Sequence, residues 1–110
     1  VRELTAIAFS TSNERLRIEV LTLLNGVSWP LASTILHFGV SADYPILDVR
    51  ALWSLGVRVR QHQYDYELWR NYVQYCRALT AETGVSVRTL DKALWQYAKV
   101  YQPGLGENDG

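Results

Sequence analysis

A carboxylate and a glycine turn are the residues here whose types and spacing could do chemistry. Asp48 closes the run Tyr44-Pro-Ile-Leu-Asp48, and upstream of it stands Leu24-Asn-Gly-Val-Ser-Trp-Pro-Leu-Ala-Ser-Thr-Ile-Leu36. The upstream run reads as two helices joined by a tight hairpin at Asn25-Gly-Val-Ser28. Backbone N–H groups at a helix start have no partner within the helix, and with the helix dipole they favour an anion such as phosphate. A carboxylate close behind such a grip could meet a nucleotide, where it would stabilise positive charge or activate water. DNA is therefore the first partner to consider. Asp48 also suits a plain N-cap, a role that contributes about 0.5–2 kcal/mol without any chemistry.

The remaining candidates are fewer. Arg50, Arg58, Arg60 and His62 make the one local basic run, placed to contact phosphates beside the hairpin or to form a solvated connector. Trp29 stands at the hairpin beside Pro30, where little core is expected, and could stack on a base, on a sugar or on another domain. His37 follows an apolar helix face and reads as a packed core-edge histidine. The two histidines lack metal-ligand spacing, and the single cysteine, Cys76, can build neither a disulfide framework nor a cysteine cluster within the chain. No metal and no cofactor is expected.

The elements that must position these groups follow from caps and periodicity. Residues 2–9 form a short apolar helix. Thr11-Ser-Asn-Glu14 spells a capping box for a helix carrying Leu16, Val20, Leu23 and Leu24, with Gly26 as its stop. Ser28 caps the next helix, Pro30 fits its first turn, and Gly39 ends it. Val27 is expected to point inward, and the small Ala32 to let the two helices approach. Residues 40–47 form a loop, and Asp48 caps a short helix that ends at Gly56. The segment 57–64 alternates but has no strand partner, so it reads as a connector. Asp65 and Ser86 cap two long helices, the first stopped by Gly84. Aromatic side chains at Trp53, Trp69, Tyr72, Trp95 and Tyr97 fall on apolar positions of these helices. The result is an all-α fold of about six helices: one helical domain over 1–102 with a helix-hairpin-helix motif at about 13–38, and a disordered tail over 103–110.

The order, spacing and hydrophobic register of residues 16–56 resemble the helix-hairpin-helix DNA glycosylase superfamily, with closest likeness to the adenine-removing mismatch glycosylases. The resemblance implies that the backbone around Gly26, Val27 and Ser28 holds a DNA phosphate. It also implies that Asp48 occupies the place of the catalytic carboxylate, acting on a base flipped out of the duplex. The departures are specific. Ser28 stands where the usual hairpin has its second glycine. Pro30 stands where bifunctional members carry a lysine nucleophile, which excludes Schiff-base chemistry at that position. The iron–sulfur cysteines of some members are missing, and the chain is short of the helical layer that completes their base pocket.

Composition bounds the rest. The 110 residues are 48% hydrophobic, enough for a core, and carry 11 basic against 11 acidic side chains. Zero net charge argues against strong nonspecific nucleic-acid binding, so duplex DNA is expected to bind with modest affinity. No apolar run approaches the ~20 residues of a membrane span, and a cytoplasmic location is the default. The chain opens on Val1 and contains no methionine, so residues upstream of Val1 are expected. The reading is a DNA-binding helix-hairpin-helix domain contacting phosphates through Gly26, Val27, Ser28 and Trp29, with Arg50, Arg58 and Arg60 in support. Its alternatives are a monofunctional glycosylase using Asp48, or an interaction module that kept the fold and lost DNA, with a protein partner or upstream helices covering its aromatic surface.

Overall fold

A computed structural model of the chain describes residues 2–60 and 63–103. Six helices follow one another: α1 (Arg2–Ser10), α2 (Glu14–Thr22), α3 (Trp29–Gly39), α4 (Val49–Ser54), α5 (Tyr66–Thr83) and α6 (Val87–Tyr101). No strand occurs among the described residues, and 57–60 is extended connector. His62 and the tail from Gly104 onward lie outside the described residues. No described helix is long and apolar enough to cross a membrane.

The caps explain most of the boundaries. Ser28, Asp48, Asp65 and Ser86 each accept a backbone N–H from the first turn of the helix they precede. Gly26, Gly56 and Gly84 all take positive φ after a helix, where a side chain would cost backbone strain. Two expectations fail on local detail. The cap of α2 is Asn13, whose Oδ1 accepts the Leu16 N–H at 3.0 Å, while the Thr11 hydroxyl only accepts the Asn13 N–H. Asparagine caps better than threonine, so the helix starts two residues late and Glu14 is released for other contacts. Gly39 does not stop α3; it is the last helical residue, and a Cβ placed on it would lie 2.5 Å from Phe9 Cζ. Its smallness lets the α1 ring lie against α3.

One apolar cluster joins the elements. Ala8, Ile18, Leu21, Ala32, Leu36, Leu47, Leu52, Trp69, Val73 and Cys76 are buried in it, and Leu90 and Leu94 of α6 pack on it from the side. Ala32 is fully buried between neighbours and Val27 turns toward the cluster, as the helix register required. Trp29 differs from expectation, since it too packs partly on the core instead of standing clear of it. The four aromatic residues Trp53, Trp95, Tyr97 and Tyr101 sit farther out; Tyr97 and Tyr101 are exposed and pack ring against ring at 4.7 Å.

Candidate functional site: the 44–48 loop and its two flanks

The Tyr44–Asp48 segment is short, irregular and almost entirely buried, so each of its backbone polar groups needs a partner. Side chains from three helices supply them. From α3, His37 Nδ1 stands 2.8 Å from the Tyr44 carbonyl, which can only accept, so this nitrogen carries the proton. One turn earlier, the buried Ser33 hydroxyl donates to the Pro30 carbonyl at 2.6 Å and accepts the Leu47 N–H at 2.8 Å. From α5, the Tyr72 hydroxyl donates to the Ile46 carbonyl at 3.0 Å. From α6, Asp91 Oδ2 accepts the Ile46 N–H at 3.1 Å.

The start of the loop is anchored by the Tyr44 side chain. Its ring stacks on Trp69 at 6.0 Å, and its hydroxyl accepts from Arg17 at 2.8 Å and donates to Glu14 at 3.2 Å. Glu14 also meets Arg77 of α5 at 3.1 Å. The end of the loop is Asp48, whose Oδ1 accepts the Arg50 N–H at 2.7 Å as the cap of α4. Asp48 is thus held at a fixed place and half-buried.

Burial sets the electrostatics around it. Asp91 is 7% exposed, and desolvation pushes its carboxyl up to about 6 against the pull of the Ile46 N–H, His37 and Arg88, with Asp48 adding to the rise. His37 Nδ1 is 3.9 Å from Asp91 Oδ2, and Asp91 Oδ1 has no hydrogen-bond partner among the described residues. Burial also raises the Tyr72 hydroxyl, with Cys76 and Asp91 adding to the rise. The Cys76 thiol is likewise pushed up by burial, to about 12. Cys76 is therefore an inert packing group. Tyr64 is raised by burial and then by Asp48.

Asp48 and Asp91 line the same cavity of about 520 Å³, whose other walls are Ile46, Ala51, Arg88, Lys92, Trp95 and Gln96. The next residue, Val49, lines a different cavity of about 430 Å³ with Ser28, Trp29, Pro30, Val59 and Tyr64. Asp48 and Val49, adjacent in sequence, thus adjoin two cavities, one walled by α6 and one by the start of α3. Arg58 borders a third cavity with Val49, Trp53 and Gln102, near the end of α6. Arg60 is exposed, and its N–H bonds Gln63. Arg50 lies back over the Trp95 ring at 5.0 Å.

At the turn before α3, Val27 donates to the Leu24 carbonyl and Leu31 to the Ser28 hydroxyl at 3.3 Å. The N–H groups of Gly26, Ser28 and Trp29 donate to nothing among the described residues. Space beside Gly26 is open: a methyl group added there would meet no heavy atom within 4 Å. The arrangement can take an anion at the turn and a small neutral group in the Asp48 cavity. Among the described residues no group of three or more His, Cys, Asp or Glu side chains could hold a metal ion.

The structure therefore brings Ser28 and Trp29 together with Val49 of α4, sets Arg50 over Trp95 and Arg58 beside a different cavity, and leaves Arg60 exposed. The residue missed from sequence is Asp91. Its signal was present: it stands in register with the buried Val87 and Ala98 of α6, where a carboxylate needs a reason. Comparison with family models, curated proteins and solved structures gives no match for this chain.

Proposed function

We propose that this chain is a DNA-binding domain of the helix-hairpin-helix class, resembling the DNA glycosylases, that grips a backbone phosphate at the turn between α2 and α3. The observation that carries this is the set of unengaged N–H groups of Gly26, Ser28 and Trp29 beside open space at the positive end of an 11-residue helix. Such a contact fixes the backbone and reads no sequence. Val27 anchors the turn from inside, and Trp29 closes one wall of the adjoining cavity. Arg58 and Arg60 are the supporting cations on the connector side. Few phosphates are engaged, so affinity is modest and salt-sensitive. Titration of a labelled duplex at low and at physiological salt tests this reading. Negligible binding at both favours an interaction module that has lost DNA.

A second reading is a monofunctional glycosylase using Asp48. It is favoured by the cavity of about 520 Å³ that Asp48 lines, whose Ile46, Ala51 and Trp95 walls suit a flat, largely apolar ring. A base flipped into it would bring its sugar near the carboxylate, which would then stabilise the cation left as the base departs. Pro30 leaves no lysine nucleophile at the turn, so Schiff-base chemistry is excluded at that position.

A further inference from the structure

The acids on the helices are unevenly placed, whereas cations occur throughout, with Arg15, Arg17, Arg70 and Arg77 on α2 and α5. Glu3, Glu14, Glu19, Glu67 and Glu82 all belong to α1, α2 and α5. Helices α3, α4 and α6 hold a single carboxylate, Asp91, which is buried. Against it those helices present Arg50, Arg88, Lys92 and Lys99. A chain with zero net charge therefore has one group of helices whose exposed charges are all cationic. Arg88 and Lys92, one turn apart on α6, line the Asp48 cavity, and farther along the helix the Lys99 ammonium lies 5.1 Å from the Trp95 ring. Arg88 lies over the Phe38 ring at 5.4 Å and also acts on the buried Asp91 carboxylate.

We infer that Arg88 and Lys92 are a second phosphate grip, so that a nucleic-acid strand crosses the 44–48 loop with one phosphate on the α2–α3 turn and the next contacts on α6. This rests on the reading of the chain as a DNA-binding domain. Charge and placement argue for it together. Two anion-favouring features, the free N–H groups at Ser28 and Trp29 and the cations of α6, border cavities that meet at Asp48 and Val49, and a repeating polyanion is a ligand that can meet both. The carboxylates of Asp48 and Asp91 line the same cavity and repel phosphate from its interior, whereas Arg88 and Lys92 are exposed to solvent. Arg58, which borders a neighbouring cavity with Val49, stays a supporting cation on the connector side, and α6 supplies the further cationic contacts.

The test compares the salt dependence of duplex binding by the wild-type chain, Arg88→Gln/Lys92→Gln, and Arg70→Gln as a control on exposed α5. Each lost phosphate contact lowers the slope of log K against log salt by about 0.9. Between about 50 and about 200 mM salt, the wild type should therefore lose roughly tenfold more affinity than the double variant. Arg70→Gln should behave as wild type, and thermal melts should show all three folded. An unchanged slope in the double variant overturns the α6 grip and leaves the turn as the phosphate site. A fall in slope about half the double variant's in Arg70→Gln, which removes one charge against two, also overturns it, since net charge alone would then explain the change. Absence of wild-type binding at low salt overturns both this grip and the DNA-binding reading.

Discussion

Asp91 of α6 accepts the Ile46 N–H at 3.1 Å, joining groups 45 residues apart and fixing the loop that delivers Asp48. The carboxyl is strained electrostatically by this task. Its ordinary value is about 3.9, and in the folded chain it rises to about 6. Between those values the native state holds more protons than the unfolded chain, so Asp91 makes stability fall as pH rises through that window. The upper bound is about 3 kcal/mol for a rise of roughly two units. Asp91→Asn should flatten this slope in melts between about pH 4 and pH 7, because an asparagine oxygen still accepts from Ile46. Asp91→Ala should instead lose about 1–3 kcal/mol, leaving that N–H without its acceptor. A wild-type slope retained in Asp91→Asn would contradict the assignment.

Asp48 invites opposite expectations from its two roles. As a cap it should tolerate asparagine and lose about 0.5–2 kcal/mol with alanine. If the chain excises bases, Asp48→Asn should abolish excision while the melt stays put, since only the charge is lost. Melts run beside excision assays on duplexes with assorted damaged or mismatched bases separate the two. Excision surviving in Asp48→Asn would remove Asp48 from the chemistry.

Gly39 and Phe9 should be coupled. A methyl on Gly39 would press on the Phe9 ring, at a cost of about 1–3 kcal/mol for overpacking, so Gly39→Ala should destabilise the wild type. In a Phe9→Ala background the clash is gone. The same change should then stabilise by about 0.5–1 kcal/mol, the ordinary preference for alanine within a helix. Denaturant titrations of the four chains check the change of sign.

Gly26 offers the contrasting case. Its φ is +79° and the space around it is open, so a side chain there meets strain and no clash. Gly26→Ala should cost about 1–2 kcal/mol, and Gly26→Asn less, since asparagine tolerates the left-handed region. Equal stability of all three would mean that the turn is not held in this conformation.

The helices were legible because each announces itself locally. Ser28, Asp48, Asp65 and Ser86 cap as their positions predicted, and Gly26, Gly56 and Gly84 turn the chain where a helix stops. Thr11 misled because two cap residues stood two apart and Asn13, the better cap, took the helix start, leaving Glu14 to meet Tyr44 and Arg77. Gly39 misled because its smallness serves Phe9, a contact across sequence that no local pattern encodes. The site was half legible. Asp48 and the turn are local signals, whereas Ser33, His37, Tyr72 and Asp91 acquire their meaning only when three helices converge on one loop. The cations of α6 look ordinary in a neutral sequence, and that Arg88 and Lys92 share a cavity with Asp48 emerges only after folding.

A phosphate held on the free N–H groups of the α2–α3 turn is the contact from which the DNA-binding reading follows. Its most direct measurement is a titration of the isotopically labelled chain with a short duplex at low salt, following backbone amide resonances. The Gly26, Ser28 and Trp29 amides are expected to shift saturably and to return as salt is raised. Amides of α1 and of the outer face of α5 should stay in place. Shifts confined to other segments, or none at this turn at saturating duplex, would contradict the phosphate grip.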